Sequence, residues 1–151
     1  MSAPEEHDQP PRTDPLRPHG VPHATVLALG ALSKALETTE RARGHLYSFH
    51  QLTGTADFEL DDAVRLFREA GHDGVAAAIE RDILGRNVIP GHWTFQIVEA
   101  YNHTYYRPFA ALAQQAVDEL AGGRDHLYEA QLKRARRTPG HPAHTAGPPA
   151  G

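Results

Sequence analysis

The chain has 151 residues, a formal net charge of −4 with histidines neutral, and no cysteine. Disulfides, thiolate nucleophiles, zinc–thiolate sites and iron–sulfur ligation are therefore excluded, and no global basic field invites nucleic acid. The length fits one domain, and no apolar run approaches the ~18–20 residues that span a bilayer.

Six of the twelve prolines lie within the first 22 residues and four more between Pro139 and Pro149. Neither end has a periodic apolar pattern, so residues 1–22 and 138–151 are expected to be disordered tails flanking a domain over 23–137. The stretch Ala24–Leu32 has the look of a signal core, but Glu5, Glu6, Asp8 and Asp14 precede it, which is wrong for a basic leader. The expected compartment is the cytoplasm. Thirteen arginines against two lysines, with abundant alanine and glycine, suggest a GC-rich genome.

The first predicted helix runs from about Ala24 to Leu52 and stops at Thr53-Gly54-Thr55. At 100° per residue, Leu29, Leu32, Leu36, Thr39, Arg43, Leu46 and His50 share one stripe. Glu37, Arg41, His45 and Ser48 point the other way, and Glu37–Arg41 is a well-oriented i,i+4 pair. A short second helix is expected near Phe58–Ala70, with Leu60, Val64 and Phe67 inward and Gly71 as its stop. Asp73 is placed to cap a third helix reaching Leu84, with Val75, Ile79 and Ile83 inward; Gly85 ends it.

Pro90-Gly91 suits a type II turn. Thr94 then reads as an N-cap, with Trp93 and Val98 at the spacing of a hydrophobic staple. The fourth helix covers about Phe95–Ala121, its inward stripe being Phe95, Val98, Asn102, Tyr105, Phe109, Leu112, Ala116 and Leu120. Pro108 removes a backbone hydrogen bond there, and the stripe keeps its phase across it, which favours a kink over a split. Gly122-Gly123 is a stop, and a last helix is expected over Arg124–Arg137. No segment holds the period-two pattern of a strand. The expected fold is all-α: an antiparallel bundle of about five helices, two long, a short helical hairpin between them in sequence, and a C-terminal helix.

Polar side chains in the middle of apolar stripes mark the candidate site, because buried polar groups must be paired. In an antiparallel pairing Arg43 reaches Glu99 or Asn102, His50 sits near Phe95 or Glu99, His92 and Trp93 lie at the helix start, and Tyr105 and Tyr106 one turn along. The first reading is a structural Arg–Glu–Asn–His network that sets register. The second is a pocket for an enzyme or small-ligand sensor, lined by Arg43, His50, His92, Trp93, Glu99, Asn102 and Tyr106, with Arg43 for an anionic group and His50 or Glu99 for a proton. No catalytic residue is assigned. A His/carboxylate metal bundle ranks third: Glu99 and His103 stand at i,i+4, but the ligand set is incomplete, Glu69-Ala-Gly-His72 straddles a helix stop, and Arg43 would repel a cation. No metal or cofactor is called for.

The tail histidines His141 and His144 suggest only adventitious metal. The basic run Lys133-Arg134-Ala135-Arg136-Arg137 complements a helix C-terminus and lacks the aromatic interleaving of a nucleic-acid surface. Phosphate loops, nucleophile elbows and His-Glu-x-x-His are missing. Gly85–Glu99, Tyr105-Tyr106, His126–Ala130 and Glu40–His50 together give a sequence that resembles a set of uncharacterised helical proteins of high-GC actinobacteria over roughly residues 24–137. The resemblance implies a cytosolic helical protein and carries over no activity or site residue. The expected function is a non-catalytic binding or interaction protein with a protein or small-molecule partner; exposed apolar residues on the short helices would support a homodimer.

Overall fold

A computed structural model describes residues 20–145 and 147. The described chain is mostly helical, with no strand among the described residues. Residues 1–19, 146 and 148–151 of the two expected tails lie outside the described residues. Helix α1 spans His23–Glu69, α2 Asp73–Asp82, α3 Thr94–Tyr101, α4 Arg107–Ala121 and α5 Leu127–Arg136. Five residues between α3 and α4, Asn102–Tyr106, form a π-helical segment. The chain makes two compact units, one from residues up to Lys34 together with those from Leu112 onward, the other Ala35–Ala111. No helix among the described residues is long and apolar enough to cross a membrane.

The first and second expected helices are one. Thr53-Gly54-Thr55 does not stop α1; within the unbroken helix the threonine hydroxyls bond back, Thr53 to the Phe49 carbonyl at 2.7 Å and Thr55 to the Gln51 carbonyl at 3.1 Å. A glycine inside a helix costs only about 1 kcal/mol, which the continuing pattern overrides. That pattern is the predicted stripe carried further: Leu46, His50, Thr53, Asp57, Leu60 and Val64 follow at alternating spacings of four and three, and all are half-buried or buried. The opposite residues Glu37, Arg41, His45 and Ser48 are exposed.

The real stop is Gly71, at φ +84°. The His72 N–H reaches the Phe67 carbonyl at 2.7 Å across it, the closure expected of a left-handed C-cap. Arg68 and Glu80 then tie the end of α1 to α2. Asp73 is the first residue of α2 rather than its cap, which is His72. Inward packing of α2 falls on fully buried Ala76, while Val75 and Ile83, expected inside, are exposed.

The turn at Ile89–His92 is as expected: Gly91 has φ +74°, and the His92 N–H bonds the Ile89 carbonyl at 3.0 Å. The N-cap of α3 is Trp93, not Thr94. Gln96 supplies the capping contact, its Oε1 accepting from the Trp93 N–H at 3.0 Å. The Thr94 hydroxyl is turned instead to His50.

The fourth predicted helix is neither uniformly α-helical nor constant in phase. Had Asn102–Tyr106 been α-helical, the ring of Pro108 would clash with the Thr104 carbonyl. The π segment relieves this by admitting an extra residue, and the Arg107 N–H reaches the Asn102 carbonyl five residues back. One inserted residue advances the buried face by one position. Tyr105, Leu112 and Leu120, expected inside, are exposed, and their successors Tyr106, Ala113 and Ala121 are half-buried or buried.

Gly122 and Gly123, both at positive φ, end α4. In the first unit Val21, Val26, Ala121 and Leu127 form the core, with Leu29, Val117 and Tyr128 packed against it. Val21 belongs to the stretch expected as tail. The Tyr128 ring lies directly on the backbone of Gly30, which explains a glycine in the buried face of a helix.

Candidate functional site

Two constellations occur in the second unit, both anchored on the polar members of the α1 stripe. The first surrounds Arg43. Its Nε–H donates to Asn102 Oδ1 at 2.7 Å, and Asn102 Nδ2 donates to the Tyr47 hydroxyl at 3.3 Å. The guanidinium lies over the Tyr106 ring, 4.2 Å from its centroid, and 5.5 Å from that of Tyr47. Arg43 Nη1 is 3.5 Å from Glu40 Oε2, and the Tyr106 hydroxyl donates to Glu40 Oε1. That hydrogen bond, helped by burial and by the negative charge of Glu40, holds the Tyr106 phenol above its ordinary value of 10.0, with Arg43 pulling weakly the other way.

The π segment is what brings this group together, since it carries Asn102 at one end and Tyr106 at the other. The pairs 40–106, 43–102 and 50–94 rise on one helix as they fall on the other. Arg43 and Asn102 therefore meet as the sequence suggests. The carboxylate on Arg43 is Glu40, one turn away on the same helix. Glu99 is exposed and makes no side-chain hydrogen bond or ion pair among the described residues. The cluster keeps contact with solvent: the Arg43 side chain is 29% exposed and that of Glu40 44%. Each member has a partner within the cluster. Such a mutually bonded group ties the register of the two helices that carry it.

The second constellation is a cleft of about 650 Å³, within the size range of small-molecule sites. α1 lines it with Thr53, Gly54, Ala56, Asp57 and Leu60; Ile83 and the loop at Gly85–Val88 form another wall, and Trp93 and Thr94 close the third. The cleft exists because α1 runs on through Gly54. Ile83, Val88 and Trp93 are exposed apolar side chains at its edge, Trp93 at 60%. Beside it, His50 Nδ1 and Thr94 Oγ1 share a 2.7 Å hydrogen bond. Asp57 is held in place by the Gly85 N–H, which donates to its Oδ1 at 2.7 Å.

Of the seven residues expected to line a pocket, Trp93 alone faces this cleft. His50 touches it through Thr94; Arg43, Asn102 and Tyr106 belong to the first cluster; Glu99 is in neither. His92 is exposed and bonds the Pro90 carbonyl of its own turn at 3.0 Å. Sequence reasoning missed Asp57, although the signal was the one that picked Arg43 and His50: a polar residue in phase with an apolar stripe. His103 pairs with Arg107 at 3.1 Å, and among the described residues no three His, Cys, Asp or Glu side chains are grouped to hold a metal ion. Compared with family models, curated proteins and solved structures, the chain matches none.

Proposed function

We propose that this protein is a non-catalytic binding protein of the cytoplasm, built on an antiparallel helical bundle within each unit, and that its site is the cleft over Asp57, Leu60, Ile83 and Trp93. The observation that carries this reading is the 650 Å³ apolar cleft edged by an exposed indole. Concave, mostly apolar sites with a few oriented polar groups are where ligands bind, and a large aromatic side chain at such an edge has its binding energy still unused. The Arg43–Asn102–Tyr106 cluster serves as the clasp that keeps α3 in register on α1, and so keeps Trp93 and Thr94 opposite Asp57. A homodimer through the outward apolar residues of α1 is compatible with this role.

Trp93 is the chain's single tryptophan, so its fluorescence reports on the cleft without labelling. Titration with a neutral apolar probe such as 1-hexanol is expected to give a saturable change in emission. Ala56→Phe, which places a ring in the cleft, is expected to abolish it. A linear, non-saturating response, or an identical one in the variant, would contradict the reading.

A further inference from the structure

We infer that the ligand of this cleft carries a positively charged amine on an apolar body; the inference rests on the cleft being a binding site. Three features converge on it. Asp57 sits on the cleft wall, half-buried, at a phase of α1 otherwise given to apolar or paired residues. Its Oδ1 is oriented by the Gly85 N–H, and it makes no ion pair among the described residues. A neutral backbone donor fixes the carboxylate in place without neutralising it.

The only cation on the lining is Arg86, and its Nη1 is engaged by the Asp82 carbonyl at 3.2 Å rather than by Asp57. The Asp57 carboxylate is therefore left without a cationic partner on the lining. The third feature is Trp93, whose indole lines the same space. Tryptophan is the strongest of the aromatic side chains at attracting a cation over its ring. A carboxylate and an exposed indole in one apolar cleft favour an ammonium group over a hydroxyl, and disfavour a carboxylate. Leu60, Ile83 and Val88 would cover the hydrocarbon part of the ligand.

The test compares three probes with one six-carbon body: hexylamine, 1-hexanol and hexanoate, titrated against Trp93 emission at neutral pH on the full chain. Hexylamine is expected to bind roughly tenfold tighter than hexanol, the size of one partly screened charge contact, and hexanoate weakest. In Asp57→Asn, which keeps an oxygen for the Gly85 N–H but loses the charge, hexylamine is expected to fall to within about twofold of hexanol. Equal binding of amine and alcohol by the unaltered protein overturns the inference and leaves the binding reading standing. Tightest binding of hexanoate overturns it in favour of Arg86. Failure of all three overturns the inference and the binding reading together. The three affinities of the unaltered protein decide the matter even if the variant does not fold.

Discussion

The contact between Gly30 and Tyr128 makes one substitution sharply diagnostic. A Cβ at Gly30 would lie 2.6 Å from Tyr128 Cγ and 2.8 Å from its Cβ. Carbon atoms in packed interiors prefer about 3.5–4.0 Å, so the ring would have to retreat by about 1 Å. Tyr128 is not a free side chain that can swing away: it follows Leu127, a core residue, in the first turn of α5. Overpacking of this kind costs about 1–3 kcal/mol, against a gain of up to about 1 kcal/mol from replacing a helical glycine by alanine. Gly30→Ala is thus expected to destabilise by about 1–2 kcal/mol. Gly44 lies in the same helix with nothing within 4 Å of its would-be Cβ, and Gly44→Ala is expected to stabilise by about 1 kcal/mol. Urea melts followed by ellipticity read both directly, as opposite shifts of the midpoint at unchanged slope. If Gly30→Ala were as stable as the unaltered chain, α5 would not be seated on α1 as described.

Three further outcomes are expected. Asn102→Ala removes the acceptor of the Arg43 Nε–H; a charge-assisted hydrogen bond discounted for the 29% exposure of Arg43 gives a loss of about 1 kcal/mol in a urea melt. Thr94→Val leaves His50 without its hydroxyl partner and is expected to lose about 1 kcal/mol as well, measured the same way. Tyr106→Phe is expected to remove a step lying above the ordinary phenol value from a spectrophotometric tyrosinate titration. Because the folded Tyr106 value is raised, the contact with Glu40 stabilises fully below the unfolded phenol value near 10, and its contribution is lost as pH rises through the folded value. A tyrosinate titration that Tyr106→Phe leaves unchanged at its alkaline end would contradict this pairing.

The apolar rhythm of α1 was legible up to His50 and again at Leu60 and Val64, though Phe67, expected inward, is exposed; the meeting of Arg43 with Asn102 was legible too. The places where sequence reasoning failed have local causes. Thr53-Gly54-Thr55 carries the composition of a helix stop, and only the back-bonded hydroxyls and the unbroken four–three spacing through Asp57 and Leu60 show that the helix continues. Cutting the helix there removed Asp57 from view and with it the cleft. Pro108 was visible as a disturbance, but a π segment is not written in any residue pattern, so the one-position advance from Tyr105 to Tyr106 and from Leu112 to Ala113 could not be read. Glu99 looked the natural partner for Arg43 because it lies across the pairing, yet Glu40 is already within reach on the same helix surface at i,i+3. A local carboxylate needs no tertiary ordering to find its cation.

Binding in the cleft, and not at the arginine clasp, is what the proposed function requires. A two-dimensional amide and indole NMR titration of the full chain with hexylamine tests it at residue resolution. Saturable shifts are expected for the Trp93 indole N–H and the amides of residues 53–60 and 83–88, with the Gly85 amide among the largest because it donates to Asp57. Shifts centred on Arg43, Tyr47, Asn102 and Tyr106, or no saturable shift anywhere, would contradict it.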